Sequence, residues 1–207
     1  MITYAELKAD VVGMLEIDNT DADRFLLDEN LRKAQLTLLN TLPFRYLTNA
    51  IKTVKANLSN GVNLYQWPSD YVRFIEMWVD FTNPITASNE GRKIVEYEDS
   101  DFYTPTIGDL ASKNYPYIDL NVEGGFGIYP VPDKDVTSGW RLRYVWQTPN
   151  PTAVQDCLLE YNLKNLLVYR TVELCAIIEE HNIVLSEKAG KMFTDELNLF
   201  LPKKVKQ

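Results

Sequence analysis

The chain has 207 residues, of which 45% are apolar and 24% charged, the composition of an ordinary globular protein. A chain of this length buries roughly 70% of its unfolded surface, and no stretch approaches the roughly 20 apolar residues that span a bilayer, so no membrane partner is predicted. The 21 basic and 29 acidic side chains give a net charge of −8. This charge argues against a protein that binds DNA through its phosphates, but it suits the wall of a passage through which DNA slides.

Two amphipathic helices are predicted at the N-terminus. Thr3 and Glu6 have the spacing of a capping box, and apolar residues follow at helical spacing. A loop rich in Asp and Asn precedes a second helix, which Thr20 or Asp21 would cap and Pro43 would end.

A β-rich region follows, because the period of the apolar residues changes from 3.6 to 2 at about Ile51. Alternating residues on both sides of Ser59-Asn60-Gly61 predict a β-hairpin. Gly124-Gly125-Phe126-Gly127 predicts a β-turn and not a phosphate loop, because no helix follows it. Further strands are predicted in Val72–Asp80, Lys93–Tyr97, Tyr117–Val122, Gly127–Tyr129 and Trp140–Trp146.

Two helices close the chain. The first, predicted over Ala153–Glu180, has an apolar arc wider than one face and therefore needs cover on more than one side. Cys157 and Cys175 lie in it without C-x-x-C spacing, which argues against a disulfide framework or a zinc site. A break at His181-Asn182 separates it from a last helix that starts near Ser186.

This order predicts an α+β fold. The N- and C-terminal helix pairs would pack as a four-helix bundle, with an antiparallel β-subdomain inserted between them. The expected boundaries are residues 1–47 plus 150–207 for the bundle and 48–149 for the insertion.

Groups for catalysis or metal binding are sparse. No metalloprotease, nucleophile-elbow, phosphate-loop or dinucleotide-binding motif occurs. His181 could be a general base, but a cation-prone residue past a helix end also suits the helix dipole. Acidic runs occur at Glu96, Glu98, Asp99 and Asp101 and at Asp18, Asp21 and Asp23. Neither run has the glycine and terminal Glu of an EF-hand, so we predict solvated loops, no cofactor and no enzyme.

The aromatic residues and the C-terminal lysines suggest two possible binding functions. The four Trp and twelve Tyr could stack on sugars, although strand alternation places many rings in a core or an interface. Three of the last five residues are lysine, which fits either a frayed tail or a peptide that docks on an acidic partner.

Three segments, in this order, resemble elements of one protein family. The first is Trp67-Pro68-Ser69-Asp70-Tyr71, which leads into a strand. The second consists of two strands, in Phe126–Asp133 and Trp140–Tyr144, joined by a Tyr-Pro-x-Pro-Asp motif. The third is Ala189–Leu197, which lies in a closing helical hairpin. The family is that of the head-to-tail connector or adaptor proteins of tailed bacteriophages, including the tail tubular protein A type.

The resemblance implies a non-enzymatic virion component at the portal–tail junction, made in the host cytoplasm. It implies a ring of about twelve copies that binds the portal protein and tail (nozzle or tubular) proteins and lets genomic DNA pass without specific binding. The portal-docking segment would be the C-terminal extension, comprising Leu201, Pro202, Lys203, Lys204, Val205, Lys206 and Gln207.

The wide apolar arc of the third helix fits packing between copies in such a ring. The residues expected at that subunit interface are Leu158, Val168, Val172, Cys175 and Ala176. A carbohydrate- or receptor-binding module that uses the aromatic residues of the β region is the alternative, and a hydrolase that uses Glu96 to Asp101 has the least support.

Overall fold

Helix α1 (Tyr4–Leu15) begins at the predicted capping box. The Thr3 hydroxyl accepts a hydrogen bond from the Glu6 amide at 3.2 Å, and the Glu6 carboxylate accepts one from the Thr3 amide at 3.1 Å. Two amides that the helix leaves unpaired are therefore satisfied, and the predicted start is confirmed.

The structure is a computed structural model that describes residues 2–18, 20, 22–96, 111–120, 122–148, 151–152, 156–178 and 182–202.

Helix α2 (Leu27–Thr41) begins later than predicted. Thr20 lies outside it, Asp21 lies outside the described residues, and the cap position is Leu26. Leu26 has φ 48° and ψ 43°, the left-handed region, and its side chain makes no capping hydrogen bond. The turn before the helix is closed by hydrogen bonds from the Leu26 amide to the Asp23 carbonyl and from the Leu27 amide to the Ala22 carbonyl.

Eight strands form two four-stranded sheets. The first has the order β1 (Ile51–Leu58), β8 (Val136–Trp146), β3 (Tyr71–Val79) and β4 (Arg92–Lys93). The second has the order β2 (Leu64–Gln66), β7 (Gly125–Tyr129), β6 (Tyr117–Asp119) and β5 (Val95–Glu96). The β2–β7, β6–β7 and β3–β4 pairs are antiparallel, whereas β5 pairs with β6 in parallel.

The predicted hairpin around Ser59-Asn60-Gly61 is wrong. The turn exists, with Gly61 at φ 73°, but β1 and β2 belong to different sheets. Its amides bind the segment before β8, since Asn60 donates to Asp135 and Gly61 donates to the Pro132 carbonyl, both at 2.8 Å. Alternation of apolar and polar residues identifies a strand but not the strand with which it pairs. The pattern around Ser59-Asn60-Gly61 therefore could not show that β1 and β2 lie in different sheets.

Six aromatic rings pack between the two sheets, namely those of Tyr65, Trp67, Tyr71, Phe126, Trp140 and Tyr144. The shortest centroid separations are 4.0 Å for Trp67 with Tyr71 and 4.5 Å for Trp67 with Phe126. Phe126, Trp140 and Tyr144 are buried in the core of the β region, and the Tyr65, Trp67 and Tyr71 rings are half-buried beside them.

Asp70 ties three strands of the first sheet together. It lies just before β3, and its carboxylate accepts hydrogen bonds from the Tyr144 hydroxyl on β8, at 2.7 Å, and from the Lys52 ammonium on β1. Burial opposes ionisation, but these two hydrogen bonds and the Lys52 charge hold the pKa of Asp70 below its usual value. The Trp-Pro-Ser-Asp-Tyr segment is thus a structural junction.

Helices α1 and α2 pack with α4 (Ile183–Phe200) around α3 (Lys164–Ala176). Helix α3 is shorter than the predicted Ala153–Glu180, because Cys157 pairs with Ile2 in a β-bridge and a 3₁₀ turn precedes the helix. The Asn182 side chain caps α4 by accepting from the Leu185 amide at 2.9 Å, so α4 begins before Ser186.

The predicted four-helix bundle with an inserted antiparallel β-subdomain is therefore wrong as an architecture. The fold is α+β, but its two four-stranded sheets are too large for an insertion in a bundle, and one strand pair is parallel. The chain divides into two compact units, residues 1–51 with 146–207 and residues 52–145. Across the described residues, none of the helices is both long and apolar enough to cross a bilayer.

Gly125 offers a test of the second sheet. A Cβ at this position would overlap the Tyr65 carbonyl oxygen on the paired strand β2. We expect Gly125→Ala to lower the free energy of unfolding by about 2 kcal/mol, because backbone must move to make room. Urea unfolding measures this. Gly13→Ala is the matched control, since a Cβ there meets nothing within 4 Å and should stabilise α1 by about 1 kcal/mol. An unchanged Gly125→Ala midpoint would contradict the strand pairing.

Candidate functional site

The residues predicted to form a subunit interface are covered by their own chain. Val168 is 3% exposed and Val172, Cys175 and Ala176 are 0% exposed, because α1, α2 and α4 surround α3. Leu158 is half-buried and lies before the helix. Val168, Val172, Cys175 and Ala176 are therefore covered without a second copy, whereas Ile177, farther along the same apolar arc, is 59% exposed.

The end of α4 is anchored, and the predicted docking segment starts there. The Phe200 ring meets the edge of the Tyr46 ring at 5.1 Å between centroids. The Leu201 amide donates to the Leu197 carbonyl at 3.2 Å, and Pro202 is exposed. Residues 203–207 lie outside the described residues. The first residue of the segment, Leu201, thus has a fixed position at the end of α4.

A charged surface covers the side of the first sheet that faces away from the aromatic core. The Glu76 carboxylate accepts hydrogen bonds from Lys93 at 2.7 Å and from Arg143 at 3.0 Å. The Arg141 guanidinium lies 4.1 Å from the centroid of the Trp78 ring, a cation–π contact. We call Glu76, Trp78, Lys93, Arg141 and Arg143 the basic sheet face.

The basic sheet face has the opposite charge to the chain as a whole. Burial opposes ionisation of Glu76, but hydrogen bonds from Lys93 and Arg143 and their charges hold its pKa below the usual value. One carboxylate thus stands among three cations, in a chain of net charge −8. The Lys93 and Arg143 side chains are 63% and 45% exposed, which leaves them accessible to a partner. Sequence reasoning missed this surface, although Arg141-x-Arg143 in a predicted strand places both cations on one face.

The turn before α2 presents an exposed apolar side chain, Leu26, with Asp23 and Asp28 on either side of it in sequence. Leu26 is 48% exposed. Its backbone occupies the left-handed region, where a non-glycine residue is strained. The pKa of the Tyr4 phenol is raised, first by burial. The charge of Asp28, a hydrogen bond between Tyr4 and Asp28, and the charge of Asp23 raise it further. Both carboxylates therefore lie near Tyr4. We call Asp23, Leu26 and Asp28 the Leu26 turn.

The acidic runs do not form a catalytic or metal centre in the part of the chain that the structure describes. Glu96, Asp18 and Asp23 are exposed, while Glu98, Asp99, Asp101, Asp21 and His181 lie outside the described residues. Among the described residues, no group of three His, Cys, Asp or Glu side chains could hold a metal ion. Burial raises the pKa of Cys157 and of Cys175 to about 11, so neither thiol is an activated nucleophile at neutral pH.

A polar cleft of about 520 Å³ lies beside Asp80 in the 52–145 unit. The Asp80 carboxylate accepts hydrogen bonds from the Thr82 and Asn83 amides at 2.7 and 2.9 Å and from the Asn89 side chain at 2.9 Å. This carboxylate therefore holds the loop after β3 in shape and is not poised for proton transfer.

Comparison of the chain with models of protein families gives a match. A family model described as SU10 adaptor protein matches residues 2–200. It spans both compact units and ends just before the predicted docking segment, which starts at Leu201. No curated protein matches the chain.

Proposed function

Because the chain belongs to the SU10 adaptor protein family, a family of bacteriophage head-tail adaptors, we propose that its copies form a ring between the portal and the tail of the virion. The observation that carries the proposal is the family match over residues 2–200. Such an adaptor is a structural protein of the phage particle. We propose about twelve copies around a channel for DNA, in an adaptor of the tail tubular protein A type.

The charge of the chain supports the channel. A net charge of −8 repels DNA phosphates on average, so DNA would pass the wall without adhering. The aromatic rings support an adaptor over the alternative of a carbohydrate-binding module. Six of them contact one another in the 52–145 unit, and Phe126, Trp140 and Tyr144 among them are buried and cannot stack on a sugar.

For the portal contact we propose Leu201, Pro202, Lys203, Lys204, Val205, Lys206 and Gln207. A short peptide with three lysines suits an acidic groove, and ordering it there costs entropy that its charge contacts offset. The Phe200 ring against Tyr46 fixes the base of this peptide and so limits that cost. The tail proteins would contact the 52–145 unit.

Electron microscopy of the purified protein mixed with portal-bearing capsids tests the proposal. We expect one added ring of density beneath the portal, whereas the protein alone should sediment as a monomer or a weak oligomer in analytical ultracentrifugation. Capsids without a portal are the control and should gain no density. Portal-bearing capsids that gain none would contradict the proposal, and so would specific binding on a glycan array.

A further inference from the structure

We propose that neighbouring copies in the ring contact each other through two different surfaces, the Leu26 turn of one copy and the basic sheet face of the next. The inference rests on the ring proposed above and names the contact that would build it. Each copy has both surfaces, so each copy can bind one neighbour on either side. A contact between two unlike surfaces is heterologous, and such contacts close into rings when the rotation between copies permits it.

The two surfaces match in their apolar parts. Leu26 is 48% exposed and lies between Asp23 and Asp28 in sequence. On the other surface the half-buried Trp78 ring lies among cationic side chains. An apolar centre within a charged rim is the usual arrangement of a protein interface, and Trp and Arg are the residue types that dominate binding energies there.

The two surfaces also match in charge. Asp23 and Asp28 beside Leu26 are exposed, and Lys93 and Arg143 project from the basic sheet face. Arg24 lies in the same turn, and its guanidinium lies 5.9 Å from the centroid of the Phe25 ring. Opposite charges around an apolar contact fix its register and disfavour like-with-like pairing of two basic faces.

A protein partner fits the basic sheet face better than DNA does. Glu76 is ionised and stands between Lys93 and Arg143, with a 17% exposed side chain. A carboxylate at the centre of the face would repel phosphate, whereas proteins that bind DNA align unopposed cations along the groove.

Charge reversal on each surface tests the pairing. The face variant carries Lys93→Glu and Arg143→Glu, and the turn variant carries Asp23→Lys and Asp28→Lys. Each variant alone should add about tenfold fewer complete rings to portal-bearing capsids than the unchanged protein does. An equimolar mixture should restore the rings, because reversed faces then meet reversed turns in an alternating ring. Lys134→Glu, a charge reversal at an exposed lysine of the same unit, is the control and should assemble normally.

Leu26→Asn separates the contact from folding. Asn tolerates the left-handed region better than Leu, so the melting temperature should stay the same or rise while ring formation falls. Normal rings from the face, turn and Leu26→Asn variants would overturn this inference and leave the proposed function standing. Binding of a 30-base-pair DNA that the face variant loses would also overturn it. Failure of the unchanged protein to add a ring would instead count against the proposed function.

Discussion

Removal of residues 202–207 is expected to abolish addition of the protein to portal-bearing capsids and to leave the fold intact. Helix α4 ends at Phe200, whose ring stays against Tyr46, and Leu201 with its hydrogen bond to Leu197 is kept. The removed residues include all three C-terminal lysines, the groups proposed to meet the portal. Co-sedimentation with capsids should show at least about a tenfold loss of bound protein, at an unchanged melting temperature.

A charge-neutral version of the same segment separates charge from length. Replacing Lys203, Lys204 and Lys206 with Gln should weaken binding and make it less sensitive to salt, because fewer ions are displaced on docking. If the shortened chain adds to capsids as the full chain does, the docking segment is not at the C-terminus.

The second large effect is expected at Asp70. Replacement of Asp70 by Ala should lower the free energy of unfolding by about 3 kcal/mol, because two hydrogen bonds to a charged group are lost. The Tyr144 hydroxyl and the Lys52 ammonium lose their acceptor at a partly buried position. Urea unfolding followed by tryptophan fluorescence measures the change, since Trp67 lies in the ring cluster beside this junction.

Two further measurements connect this loss to the junction. In a double-mutant cycle, Tyr144→Phe should cost much less in an Asp70→Ala background than alone, because the bond is already absent. The pKa of Asp70 is lower in the folded chain than its ordinary value of 3.8. Its stabilisation is therefore complete well above pH 3.8 and lost as the pH falls through the folded pKa. Equal costs of Tyr144→Phe in both backgrounds would show that Asp70 and Tyr144 are not coupled.

The sequence predicts the start of α1 and the break before α4, where side chains make the caps, and misses the starts of α2 and α3, which have no side-chain cap. The capping box at Thr3 and Glu6 and the break at Asn182 both rely on polar side chains that accept backbone amides. Helix α2 starts after Leu26, which makes no side-chain cap and adopts a conformation disfavoured for Leu. No residue pattern in the sequence predicts a helix start that lacks a side-chain cap.

Strands could be located from the sequence, but not assigned to sheets. Alternation places β3 and most of β8 correctly. The separation of β1 from β2, and the parallel pairing of β5 with β6, depend on contacts between residues far apart in sequence. The contacts of Asp70 with Lys52 and Tyr144 are of the same kind, since they join three segments through one side chain.

The site predictions show the limit of an apolar pattern. The arc on α3 correctly signalled a helix that needs cover on several sides, yet the pattern cannot tell whether that cover comes from the same chain or another. Here α1, α2 and α4 supply it. The basic sheet face, in contrast, brings together three strands. Glu76 and Trp78 come from β3, Arg141 and Arg143 from β8, and Lys93 from β4.

The enclosure of α3 affects how assembly-defective mutants should be sought. Val172, Cys175 and Ala176 are fully buried, so substitutions there deplete the pool of folded chains before any capsid is met. A random screen scored by infectivity would recover such changes and mistake them for contact residues. Scoring first for normal intracellular abundance, and only then for loss of tailed particles, would enrich the positions at which one subunit meets the next.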